Sequence, residues 1–174
     1  MMSILVTGTP GSGKTTLVAY ARAHNNQLFF DADEIVGLCE WREYKTGKVL
    51  GLVTEHAETG LDDWYEKYGW YWRANRLKDF LNDNPNAIVC GSAENIDDFY
   101  KFFERIIILR VTADQLAHNL ASPDRSNPFG NTENQRKNFM NWQDFLIDEA
   151  KKYKPLLIDG NSTENAYKQI MSKP

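Results

Sequence analysis

The sequence is poor in several features that would point away from an ordinary globular enzyme. It has two cysteines, Cys39 and Cys90, without metal-type spacing. A disulfide framework is thereby excluded, and reduced, separately buried thiols are expected rather than a pair. No run approaches the ~18 consecutive apolar residues of a membrane span. The stretch Met1-Met2-Ser3-Ile4-Leu5-Val6-Thr7 lacks the basic segment and apolar core of a secretory signal, so a cytoplasmic location and no membrane partner are expected. Basic residues number 20 against 24 acidic ones, a net charge of −4. Without a basic excess, no nucleic-acid partner is expected. His24, His56 and His118 are isolated and do not read as metal ligands. There is no internal repeat, low-complexity tract or linker, so 1–174 reads as a single domain, either a monomer or a homodimer.

What is present is an alternation of short apolar runs with helix-periodic segments, the pattern of a parallel sheet flanked by helices. Strands are expected at Ile4-Leu5-Val6, Gln27-Leu28-Phe29-Phe30, Asn86-Ala87-Ile88-Val89-Cys90, Arg105 to Val111, and Pro155-Leu156-Leu157-Ile158-Asp159. Helices are expected from Lys14 to Ala23, from Asn95 to Phe103, after Thr112, from Glu133 to Tyr153, and from about Thr163 to Met171. The fold class that follows is a three-layer α/β/α arrangement around a five-stranded parallel sheet. Two segments interrupt the alternation: 37–60, which has no clean period, and 121–131, which is polar and rich in turn formers.

The most specific motif is Gly8-Thr9-Pro10-Gly11-Ser12-Gly13-Lys14-Thr15, which matches G-x-x-x-x-G-K-[ST] between an expected strand and an expected helix. A triphosphate has to be wrapped by backbone N–H groups, and only a loop free of side-chain bulk brings them close. The helix that follows aims its N-terminal amides and positive dipole end at the phosphates. Lys14 is a mobile point charge for the β- and γ-phosphates, and Thr15 offers a hydroxyl to magnesium. Gly8, Pro10, Gly11, Ser12, Gly13, Lys14, Thr15 and Thr16 are therefore the expected nucleotide contacts, with ATP and Mg2+ as cofactors.

Several classes of nucleotide-binding protein leave marks that are absent here. GTPase-type switches need D-x-x-G and N-K-x-D, transporter ATPases L-S-G-G-Q, and motor ATPases four apolar residues followed by Asp-Glu, well downstream and inside a larger domain. From the glycine loop to Asn161, the chain resembles the P-loop small-molecule kinases, in particular shikimate kinase and the adenylate kinase-like nucleotide and nucleoside kinases. The resemblance rests on the loop, Asp31-Ala32-Asp33 after the second strand, Trp72-Arg73, the Gly91-Ser92 turn, Asp124-Arg125-Ser126-Asn127-Pro128, and the Asp159-Gly160-Asn161 turn, taken in that order. It implies an ATP-dependent phosphotransferase. By the same resemblance Asp31 supports magnesium and Asp33 meets the acceptor hydroxyl, as a possible base. Arg73 and Gly91 contact the acceptor, and Asn161 lies by the adenine. Arg125 closes on the triphosphate from a lid spanning 121–136, while 37–82 forms the acceptor region. Lys14, Asp33 and Arg125 are the catalytic set so implied.

The acceptor itself is not specified. The strand ending Cys90-Gly91-Ser92-Ala93-Glu94 has neither the glycine triplet of shikimate kinases nor the Asp-Gly-x-Pro-Arg of adenylate kinases. Between Trp64 and Trp72 stand six aromatics. Treated as one helix, this segment puts Trp70, Ala74, Leu77 and Leu81 on a packing stripe and Tyr65, Tyr68 and Trp72 opposite. The rings either stack an acceptor or pack under the 37–60 insertion. A second functional reading, a P-loop ATPase or switch acting through a protein or RNA partner, stays open at this point.

Overall fold

The computed structural model describes residues 2–51, 62–122, 130 and 132–172. Its main sheet has five strands, β1 (Ile4–Thr7), β2 (Phe29–Asp31), β6 (Ile88–Cys90), β7 (Arg105–Arg110) and β8 (Leu156–Asp159), in the order β2-β6-β1-β7-β8. Every pairing in it is parallel. Because a strand's side chains alternate between faces, β1 feeds two cores. Ile4 and Val6 join Leu17, Val18 and Ala21 of α1 (Lys14–Ala23) and Ala166 and Ile170 of α6 (Thr163–Ser172). Leu5 joins Leu77 of α3 (Ala74–Asp83) and Leu146 and Ala150 of α5 (Glu133–Ala150) on the other face. The result is the expected α/β/α layering. Each large apolar side chain so buried contributes roughly 1.5–3 kcal/mol.

Helix α1 begins and ends where the sequence pattern places it. Helix α4 (Ala113–Leu120) is capped by the Thr112 hydroxyl, which accepts from Gln115 N, and α5 by Thr132, which accepts from Gln135 N. The segment expected as a helix between β6 and β7 is instead two 3-10 turns, Ile96–Asp98 and Tyr100–Phe102. The end of the long helix beyond Ala150 is likewise a 3-10 turn. Among the described residues no helix is long and apolar enough to cross a membrane. Cys39 and Cys90 are both free and buried.

The larger correction concerns the acceptor region. The described part of the 37–60 insertion carries two strands, β3 (Cys39–Glu43) and β4 (Val49–Gly51). The aromatic segment is not one helix: α2 (Asp62–Lys67) is followed directly by β5 (Tyr68–Trp72). These strands form an antiparallel sheet in the order β4-β3-β5. Aromatic side chains fit a pleated, half-buried surface, and a partner strand at Cys39–Glu43 gives them one. Trp41 pairs with Trp70, and Cys39 with Trp72, so these residues share a face. Trp72, opposite the packing stripe in the helical reading, is 1% exposed and packed in the core. Three hydrogen bonds tie β5 to the chain after β6: Glu94 N donates to Trp70 O, Trp72 N to Asn95 Oδ1, and Asn95 Nδ2 to Trp72 O.

Candidate functional site

In doubly wound parallel sheets, ligands bind beyond the carboxyl ends of the strands, where the strand order reverses. Here that point is the end of β1, and the loop Gly8–Gly13 leaves it to start α1. Gly13 caps the helix with φ 93°, a left-handed conformation that a side chain would strain. No side chain caps α1 and no acidic residue stands in its first turn, in contrast to α4 and α5. Its leading amides thus keep their hydrogen-bonding capacity for an anion. From outside, Asn119 Nδ2 donates to Gly11 O at 2.9 Å and the Thr9 hydroxyl to Phe139 O at 2.7 Å, so α4 and α5 both brace the loop.

Lys14 folds back over its own loop, donating to Gly8 O at 2.8 Å and Thr9 O at 3.0 Å. Burial lowers its ammonium to about 8, while the charges of Asp33 and Asp31 push the other way. Thr15 Oγ1 donates to Asp31 Oδ2 at 2.8 Å, and Asp31 Oδ1 accepts the backbone N–H of Asp33 at 3.1 Å. One hydroxyl with a carboxylate behind it suits magnesium, which keeps most of its waters and takes the rest of its shell from phosphate oxygens. Pro10 and Ser12 complete the loop, and Thr16 follows on the exposed first turn of α1.

Asp33 sits in a 3-10 turn, Ala32–Glu34, and is exposed. Its carboxyl is pushed above its ordinary value, first by desolvation and then by the charge of Asp31. The Trp70 indole and the Lys14 charge oppose that rise. Trp70 Nε1 donates to Asp33 Oδ1 at 3.1 Å, a contact with no warning in the sequence. Period-two alternation over 68–72 could have revealed the strand. The partner, 37 positions upstream, could not have been found that way.

Gly91 is buried where a Cβ would lie 2.4 Å from Ala32 Cβ and 2.7 Å from the Trp72 ring. Its side-chain-free surface is what lets β6, the Asp31–Asp33 turn and β5 meet. Next to it, Ser92 Oγ accepts from Trp142 Nε1 of α5 at 3.3 Å, a second link that sequence reasoning missed. Asn161 donates its N–H to Asp159 Oδ1. The turn it belongs to rests on the loop, since a Cβ at Gly160 would meet Ser12 O at 2.6 Å. Arg73 lies 3.8 Å from Glu40, and Glu40 is on the face of β3 opposite Trp41. Lys14 lies close enough to Asp33 for that carboxylate's charge to act on its ammonium. Arg125 and half of the 121–136 segment lie outside the described residues; of that segment's described part, Arg136 Nη1 donates to Gly130 O.

The site combines a glycine loop at the start of α1, a hydroxyl–carboxylate pair, and a second, exposed carboxylate bonded to Trp70. Solved structures with this arrangement of strands and helices include shikimate kinase from Acinetobacter baumannii in complex with shikimate. That structure is 16% identical, with a TM-score of 0.56 over 99% of this chain and 94% of that one. Deoxyadenosine kinase from M. mycoides with bound dATP is 15% identical, with a TM-score of 0.57 over 98% of each chain. Shikimate kinase from Bacteroides thetaiotaomicron is 17% identical, with a TM-score of 0.51 over 98% of this chain and 97% of that one. The chain shares the fold of these structures. No protein-family model and no curated protein sequence matches it. At these identities the likeness establishes the fold, and the chemistry has to be argued from the site.

Proposed function

We propose that the protein is an ATP-dependent small-molecule kinase, moving the γ-phosphoryl group of Mg-ATP to a nucleoside, nucleotide or other small hydroxylated acceptor. The observation that carries this is the pair of carboxylates at the end of β2. Asp31 is engaged with Thr15 at the start of α1, and Asp33 is exposed beside it. A nucleotide-binding switch would need the first carboxylate but has no use for the second.

In this reading the loop amides and Lys14 hold the triphosphate, and Thr15 with Asp31 supports magnesium. Bound there, the ion neutralises charge on the β- and γ-phosphates. The acceptor hydroxyl gives its proton to Asp33, its oxygen bonds to the γ-phosphorus, and the β,γ-bridging oxygen departs with ADP. A carboxyl held above its ordinary value suits that proton transfer better than an unperturbed one. Gly91 and Arg73 border the acceptor side, Asn161 the adenine side, and Arg125 supplies a cation to the transferring group, by the family resemblance.

The test is ADP release with ATP over a panel of nucleosides, nucleoside monophosphates, shikimate and gluconate, with Lys14→Ala as control. Acceptor-dependent release abolished by that change is the expected result. If no acceptor raises ADP release above the bare ATPase rate, the kinase reading fails and a partner-coupled ATPase takes its place.

A further inference from the structure

A carboxylate that takes a proton from a bound hydroxyl must be held in one orientation, yet the backbone around Asp33 holds only its N–H, through Asp31. Two groups approach the carboxylate itself, both at Oδ1. Trp70 Nε1 lies at 3.1 Å with normal hydrogen-bond geometry. Cys39 Sγ lies at 3.7 Å and is already donating to Ala32 O at 3.3 Å. The directional donor is therefore the indole. Oδ2 carries no hydrogen bond among the described residues and stays available.

The indole is itself well fixed. Its ring lies 5.0 Å from Trp41 at an interplanar angle of 56°, and Trp41 stands edge-on to Trp64 at 5.5 Å. Its backbone pairs with Trp41 across the β3–β5 ladder and accepts from Glu94 N at 2.7 Å. Both groups that reach Asp33 Oδ1, Trp70 and Cys39, thus come from the three-stranded sheet and share one of its faces.

We propose that Trp70 is the positioning residue of this site, its indole N–H fixing the Asp33 carboxylate through Oδ1 so that Oδ2 meets the acceptor hydroxyl. The inference rests on the kinase reading for its chemical consequence, and on the hydrogen bond alone for its structural part. A misplaced reacting group costs on the order of 100-fold in rate. Loss of the donor with the ring retained should therefore lower turnover while leaving the nucleotide cradle intact.

The experiment is Trp70→Phe in the full chain, in two parts. In steady-state kinetics with the best acceptor, kcat is expected to fall roughly 10- to 100-fold with KM for ATP within about two-fold of wild type. In 15N-correlated NMR, the indole N–H resonance missing from Trp70→Phe is thereby assigned, and it is expected to move when Asp33 is changed to Asn. An unchanged kcat, a parallel loss of kcat, ATP affinity and thermal midpoint, or an indole resonance indifferent to Asp33→Asn overturns the proposal. If the wild-type protein shows no acceptor-dependent turnover, the kinase reading fails by itself, and the indole resonance still decides whether Trp70 holds Asp33.

Discussion

The Thr15 hydroxyl donates to Asp31 Oδ2 across 2.8 Å, joining the first turn of α1 to the end of β2. This single bond aligns the two groups that a magnesium ion at the triphosphate would use, one as ligand and one behind it. Removing such an outer-shell partner typically costs 10- to 100-fold in metal affinity. Asp31→Asn is expected to weaken magnesium-ATP binding by about that factor, and ATP without magnesium much less. Calorimetric titrations with and without the metal read the difference, and equal losses in both would remove Asp31 from the metal site.

In the proposed site, Lys14 would make triphosphate binding pH-dependent. In the free protein burial holds its ammonium near 8, and an unfolded lysine keeps 10.5. Triphosphate favours the charged form, so binding takes up a proton above about 8 and affinity falls as the pH rises. Calorimetry in two buffers of different ionisation heat should give divergent enthalpies at about pH 9 and equal ones at about pH 7.

The same group bears on stability with a definite sign. Between about 8 and 10.5 the unfolded state binds more protons than the folded one. Folding stability from this group therefore increases with pH across that window. Lys14→Met should flatten that rise in urea unfolding while abolishing nucleotide binding.

At Gly91 the constraint is steric. Gly91→Val would drive a side chain into Ala32 and Trp72. Overpacking of that kind costs about 1–3 kcal/mol. Because Ala32 stands between Asp31 and Asp33, acceptor turnover should fall further than the stability loss accounts for. Chemical denaturation alongside initial rates measures both.

Gln143 on α5 is buried and clamps Val111, the residue that follows β7, accepting from Val111 N at 2.9 Å and donating to Val111 O at 3.1 Å. Gln143→Leu leaves both backbone groups unpaired in the interior. Each orphan costs roughly 1–3 kcal/mol. A loss of that size in the urea midpoint, with the denaturant slope unchanged, is the expected outcome.

Much of this arrangement could be read from the chain because its causes are local. The cradle follows from residues 8–15, each a few positions from the next, and α1 from a 3.6-residue apolar stripe beginning at Lys14. The parallel sheet follows from short apolar runs spaced by helices. The aromatic segment could not be read the same way. Six rings between Trp64 and Trp72 satisfy a helical stripe and a pleated strand about equally well. What separates the two is whether a partner strand exists, and Cys39–Glu43 lies across an insertion without a clean period of its own.

By itself, then, the sequence determined the phosphate loop, the carboxylate pair after β2, and the layered sheet. In each, the signal is carried by neighbours along the chain. Only the tertiary structure decided that 68–72 is a strand, that Trp70 reaches Asp33, that Arg73 sits with Glu40, and that Gln143 closes on Val111. Those contacts join residues whose separation along the chain carries no information about their distance in space, and the energy that selects them exists only after both partners are in place.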